Sequence, residues 1–361
     1  MGYKKWNKNV LNEQIKYVTK KIYESPSNSK ELGSTLSTLE DLKNNKPSIF
    51  TPENNFKEQL SYDKSLLKEQ IQFLPDIEKF AKLDDNYHEK LNGELVIRTL
   101  PNRILLSYVH DFYNSIDRDF AKYFNKIFKE RKRNLRLSTN NAPGFNRNYM
   151  IYLRSINYAY INIHIEHTIE DFFNIIHEYA HTIADQMRYR QRYGIYPFIE
   201  LLPLLMEEIA YDEVINTFED MEEDILLVNA VSTKTVLKYA KELILQKEYL
   251  SVVDQAIERK QFVNNLAEYS NNTKTKIEKM LNTTIQEKIS YIIPYIVMIE
   301  LYDMYYEDPE RALDTTKRII MIDEVDDYIS YLKNLGINLN ENTEAYVEDQ
   351  RQKVKTYTDN V

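Results

Sequence analysis

Apolar residues recur every three to four positions along most of this chain, the spacing of one buried helix face. The first run is residues 7–24, with Val10, Leu11, Ile15, Val18 and Ile22 in register. Ser25-Pro26-Ser27-Asn28-Ser29 breaks it. The polar stretch from there to about Asn55, with Pro47 and Pro52, reads as a loosely packed segment or a short helix over 36–42. Helices are expected over 58–71 and 75–91, before the Asn92-Gly93 turn, and then over 104–116 and 120–132. Past the Asn140 to Gly144 loop the period changes. Residues 149–153 and 158–165 carry β-branched and aromatic side chains in alternation and predict a small antiparallel sheet.

Helical spacing returns with Phe172, Phe173, Ile176, Ala180 and Ile183, preceded by Thr168 as a cap that Asp171 would bond back to. Helices follow around 203–213, 225–249, 252–262 and 276–282. Residues 290–306 form an apolar, tyrosine-rich helix that Pro294 should kink. A helix over 322–335 should stop at Gly336 and be followed by a charged tail helix. The fold class this predicts is mainly α, many-helixed, with one small antiparallel sheet. Residues 1–140 form an N-terminal helical region and 141–361 a second region, joined as one continuous unit. No internal repeat is visible.

Composition narrows the chemistry. Forty-three per cent of residues are hydrophobic and 29% charged, as in a soluble globular protein. Six glycines and ten prolines among 361 residues favour helix over a turn-rich β fold. A net charge of −9 argues against a broad nucleic-acid surface. The basic run Lys129 to Arg136 reads as a solvated helix end. No apolar run follows the start, so neither a signal peptide nor a membrane span is expected, and the default expectation is cytoplasmic. Without cysteine, metal chemistry rests on histidine and carboxylate.

Those two residue types meet in His177-Glu178-Tyr179-Ala180-His181, an H-E-x-x-H pattern. With six histidines in the chain, the number of chance matches is on the order of 0.01. Two imidazoles four apart on a helix share a face and reach one ion, and Glu178 between them can hold a water over the open coordination position. Zinc, one per chain, is the expected ion. A third protein ligand is required. Glu208, 27 residues after His181 on the next helix, is favoured over Glu207. Asp212 lies one turn beyond Glu208, where it could accept a hydrogen bond from a liganding imidazole. The kink at Pro294 would hold Tyr291 or Tyr295 in a fixed direction, able to steady an oxyanion. His164 and His167 read as strand-end residues, and His88 and His110 as structural.

Residues from about 105 to 333 resemble the catalytic half of oligoendopeptidase F and the thimet-type zinc oligopeptidases. Four stretches carry the likeness: His110-Asp111-Phe112-Tyr113 with Phe120 to Phe124, Thr168 to Glu178, Glu208-Ile209-Ala210, and Tyr291 to Tyr295 with Asp308 to Leu313. Ala180 stands where that family usually has glycine, and Ala184 where it often has a further histidine. The resemblance implies a zincin-like fold and hydrolysis of short peptides, endopeptidase action before carboxypeptidase. The substrate would be a peptide, with no nucleic acid or membrane partner. The chain is shorter than a typical member, which suggests a more open channel or, as the rival reading, an inactive peptide-binding scaffold of the same fold.

Overall fold

The computed structural model describes residues 6–24, 29–44, 70–83, 101–139, 146–188, 197–215, 217, 221–252, 261, 263–264, 274–275, 285–322 and 325–358. In chain order the elements are α1 (Lys8–Glu24), α2 (Ser29–Asn44), α3 (Leu74–Ala81), α4 (Asn102–Ile116), α5 (Arg118–Phe128), β1 (Leu135–Ser138), β2 (Tyr149–Leu153), β3 (Tyr158–His164), α6 (Glu170–Met187), α7 (Leu201–Ile215), α8 (Glu222–Val252), α9 (Ile285–Glu307), α10 (Pro309–Ile320), α11 (Tyr328–Asn334) and α12 (Thr343–Thr358). The fold is mainly α, as the pattern predicts. The expected helices over 58–71, 252–262 and 276–282 fall almost wholly outside the described residues. The chain divides into two compact units, Met1–Pro52 with Leu95–Arg192, and Glu53–Glu94 with Tyr193–Val361.

In the first unit, α1 and α2 pack on the sheet. Leu32, Leu39 and Leu42 repeat at helical spacing through a sequence rich in Ser and Thr, so the full helix α2 replaces the short one expected. These leucines bury with Trp6, Leu11, Val18, Leu153 and Tyr160. Trp6 meets the Tyr160 ring edge to face at 5.1 Å. The Tyr160 hydroxyl donates to Gln14 Oε1 at 2.5 Å.

The sheet has the order β1-β3-β2. β2 and β3 pair antiparallel, as expected, with Tyr149 opposite Asn162 and Leu153 opposite Tyr158. β1 pairs parallel to β3, so the sheet is mixed. β1 is the strand that the pattern does not announce. Four residues, Leu-Arg-Leu-Ser, are too short to show a period, and they follow one helical turn at Arg131–Asn134. The basic run is therefore only partly a solvated helix end: Arg136 is buried in β1, and Arg131 lies over the Phe128 ring at 4.2 Å.

α4 and α5 support α6 through an aromatic stack. Phe124 stacks on Tyr113 at 4.6 Å and on Phe128 at 4.8 Å, and meets Tyr179 of α6 edge to face at 5.1 Å. The buried Tyr113 hydroxyl donates to the Ile176 carbonyl at 2.6 Å.

The second unit gathers around α9, which is apolar on nearly every side and continues as helix through Pro294. Asp308 starts α10 by accepting from the Arg311 backbone N–H at 3.0 Å. Gly336, at φ 85°, follows the end of α11, as its position predicts; there a Cβ would meet the Arg311 guanidinium at 2.9 Å. α11 begins at Tyr328, six residues later than the pattern suggests, because Asp327 caps it by accepting from Ser330 N–H at 2.9 Å.

Glu300 of α9 holds the start of α12. It accepts from the Asn342 backbone N–H and from Asn342 Nδ2, each at 3.1 Å. Burial raises its carboxyl from 4.5 to about 7, against the pull of the Asn342 bonds, while Glu341 and Asp303 add to the rise. Between these two values the folded chain keeps a proton that the unfolded chain has released. Glu300 therefore contributes stability below about pH 4.5 that is lost as pH rises through about 7. The size is on the order of 2 kcal/mol. Glu300→Gln should flatten the fall in unfolding free energy between pH 5 and pH 8 by that amount. An unchanged slope by denaturant titration would refute the assignment.

Candidate metal centre

The start of α6 is set by Asp171. Its carboxylate accepts from the backbone N–H of Glu166 at 3.0 Å and of His167 at 2.9 Å, and His167 takes φ 63°. The Thr168 cap expected from the sequence is not formed: the N-cap is Ile169, and the Thr168 hydroxyl is buried with no hydrogen-bond partner among the described residues. The longer acidic side chain reaches two N–H groups at once from inside the first turn, which the threonine at 168 does not match.

Tyr179 fixes the rotation of α6. It is fully buried against Phe124 and Phe128. Two residues along a helix turn through about 200°, so packing Tyr179 inward turns His177 and His181 to the opposite side. The two imidazoles meet there, Nε2 to Nε2 at 3.1 Å, with ring planes at 76°. Two nitrogen ligands about 2.0–2.1 Å from a tetrahedral ion stand about 3.3 Å apart. The pair therefore fits a single divalent ion with almost no adjustment. Glu178 is buried at 5% exposure. His164 closes β3, with its backbone N–H on Asn148 Oδ1 at 2.8 Å and Nε2 3.7 Å from Glu166, consistent with a strand-end role.

The remaining sequence candidates lie in the second unit. Glu208 of α7 is buried and accepts from Asn229 Nδ2 at 3.1 Å. The Tyr346 hydroxyl lies against it and against Tyr295, close but without well-aligned hydrogen-bond geometry. Burial raises the Glu208 carboxyl to about 7, with Tyr346 and Asn229 drawing it down. Asp212, one turn on, accepts from the hydroxyls of Tyr302 and Tyr306. Glu207 is only partly buried. Tyr295 is buried, its hydroxyl 2.7 Å from Thr233 Oγ1, and Tyr291 is partly buried beside Tyr239. Glu200, just ahead of α7, is a further buried carboxylate. Its bonding to the helix start, through Leu204 N–H to its carbonyl at 3.0 Å, marks it as part of the first turn of α7. Tyr302 and Tyr306 could have been found from their i, i+4 spacing on α9; Asn229 and Tyr346 leave no local signal.

No family model matches the chain, and no curated protein matches at a significant level. Solved structures do. A protein provisionally named oligoendopeptidase F is similar at TM-score 0.58 and 11% identity, over 93% of this chain and 67% of that one. PZ peptidase A, solved with an inhibitor, is similar at TM-score 0.53 and 11% identity, over 93% and 66%. A further protein provisionally named oligoendopeptidase F, from Bacillus anthracis str. Ames, gives TM-score 0.52 and 12% identity, over 93% and 64%. The fold is the one these proteins share. The chain spans about two thirds of their length. Among the described residues no helix is long and apolar enough to cross a membrane.

Proposed function

We propose that this chain is a zinc-dependent peptidase acting on short peptides, endopeptidase before carboxypeptidase. The observation that carries the reading is the pair of Nε2 atoms 3.1 Å apart on α6, with Glu178 between them in sequence, in a fold shared with peptidases. His177, His181 and a glutamate offer the two imidazoles and one carboxylate that a catalytic zinc takes. The carboxylate is assigned to Glu208 on its spacing, with Glu200 as the competing donor.

When bound, zinc would supply Lewis acidity to the scissile carbonyl and to the attacking water. Glu178 accepts the proton of that water as the oxygen attacks the carbonyl carbon. The same carboxyl then passes the proton to the amide nitrogen as the C–N bond breaks, so the leaving amine departs neutral. Tyr291 or Tyr295 would donate its hydroxyl hydrogen bond to the developing oxyanion. Of the two, Tyr291 is the less buried, while the Tyr295 hydroxyl already sits 2.7 Å from Thr233.

Metal content per chain tests this directly. Wild type supplied with zinc should hold about one ion, and His181→Ala almost none. Glu208→Ala and Glu200→Ala, measured side by side, identify the third ligand by which of them empties the site. No zinc in wild type would overturn the reading, and full occupancy in both glutamate variants would overturn the choice of third ligand.

A further inference from the structure

The net charge of −9 hides an uneven split. The first unit, Met1–Pro52 with Leu95–Arg192, carries 24 lysines and arginines against 14 acidic residues, a net of +10. The second unit, Glu53–Glu94 with Tyr193–Val361, carries 23 against 42, a net of −19. A division this one-sided bears on what the chain associates with rather than on its fold.

In the first unit much of the surplus is gathered on α5. Arg118, Lys122 and Lys126 stand at successive i, i+4 positions, and Lys129 follows at the C-cap. Lys132 and Arg133 continue in the next helical turn, and all six are exposed. Phe120, Phe124, Ile127 and Phe128 bury the opposite face of the helix, so the row is held by a packed core rather than by a loose tail. Residues four apart on a helix are about 6 Å apart along its axis, which sets the pitch of the row. Among the described residues only Arg133 of the six has a carboxylate at ion-pair distance, Glu130 at 3.3 Å.

The face lacks what two kinds of anionic partner require. A helix that enters a bilayer surface inserts an apolar side, and α5 has already buried its own. Proteins that hold single-stranded nucleic acid place exposed aromatic rings among their basic groups, and the phenylalanines of α5 face inward. A row of carboxylates at helical pitch matches the face in both sign and spacing. The second unit carries such a row where α9 passes into α10. Asp303 and Glu307, then Glu310 and Asp314, are two pairs four apart, and all four are exposed. Arg311 is the one basic residue in that stretch, and Lys317 lies 3.3 Å from Asp314 at its end.

We propose that the basic face of α5 is a docking surface for a second copy of this chain, seating the acidic ridge at that copy's α9–α10 junction. Both faces are solvated, so the contact orients the copies and speeds their encounter more than it binds them tightly. Its range is short, because salt screens exposed charges over about 8 Å at 0.15 M. The inference stands apart from the metal reading and survives its failure.

Sedimentation velocity of the full chain tests it. Over a rising concentration series at low salt the average mass should climb toward twice that of one chain. Association should be about 10-fold weaker at about 0.5 M salt than at about 0.05 M. Lys122→Glu with Lys126→Glu should leave the chain monomeric, and so should Glu307→Lys with Asp314→Lys. All four positions are exposed, so both variants should melt with the wild type. Mixed one to one, the two variants should associate again, because the reversed faces match in sign. Wild type that stays monomeric throughout the low-salt series would overturn the proposal, as would association that survives either reversal. A mixture that stays monomeric while wild type associates would overturn the pairing of these two faces. Should one variant fail to fold, self-association retained by the other is enough to overturn it. Monomeric wild type that binds phosphatidylserine vesicles or a single-stranded oligonucleotide, and loses that binding in Lys122→Glu with Lys126→Glu, would give the face to a membrane or a nucleic acid instead.

Discussion

Glu178→Gln should lower peptide turnover by about 10²- to 10⁴-fold while leaving zinc content at the wild-type level. The substitution keeps the size and burial of a side chain that is 5% exposed. It removes the basic oxygen and substitutes an amide that cannot take a proton from water near neutral pH. The proposed metal ligands are untouched, so the loss should fall on kcat rather than on metal binding or substrate affinity. The assay is kcat and KM on a mixture of internally quenched short peptides, with metal content measured on the same samples. Wild-type turnover retained at full metal content would mean that another group is the base. Loss of both metal and turnover would mean that Glu178 supports the site structurally.

How much of this was legible in the sequence follows from the range of the interactions. His177 and His181 share one helix face by their spacing alone, and in the fold their Nε2 atoms meet at 3.1 Å. Gly336 and the capping residues Asp308 and Asp327 are also local, set within a turn of their helices. The cap of α6 was misplaced because two side chains three residues apart, Thr168 and Asp171, compete for the same turn. The winner depends on reach to the Glu166 and His167 N–H groups. β1 was missed because its stability comes from parallel pairing with β3, with Leu135 opposite Ile161 across an intervening strand and loop. A four-residue strand has no period of its own. The surroundings of Glu208 were hidden for a related reason. Asn229 and Tyr346 reach it from α8 and α12, and no spacing rule links positions so far apart.

The Lys288–Glu242 pair shows the same limit and carries the largest stability effect expected in the second unit. Glu242 on α8 and Lys288 on α9 are 46 positions apart, and neither stands out in its own helix. In the fold Lys288 Nζ lies 3.1 Å from a Glu242 carboxylate oxygen, with the lysine side chain at 0% and the glutamate at 5% exposure. Lys238 reaches the other oxygen at 3.8 Å from the exposed side. Glu242→Gln should cost about 3–5 kcal/mol at pH 7, because it removes the carboxylate 3.1 Å from a buried ammonium. Burial already holds the Lys288 amine below its ordinary 10.5, with Glu242 pulling it back up. Without Glu242 the folded amine releases its proton more readily still, whereas the unfolded chain holds one up to about pH 10.5. The unfolded state then binds more protons, and stability rises with pH across that window. The deficit of Glu242→Gln against wild type should therefore shrink between pH 7 and pH 10. The double replacement Lys288→Met with Glu242→Leu should recover to within about 1 kcal/mol of wild type or exceed it, since it removes both desolvated charges. Denaturant unfolding of wild type, Glu242→Leu, Lys288→Met and the double variant at pH 7 and pH 9.5 gives the coupling energy directly, with Glu242→Gln measured beside them. A cost below about 1 kcal/mol for the single variant, or a deficit that does not change with pH, would show that the interior around Lys288 is wetter than its burial implies and that the pair does not hold α8 to α9.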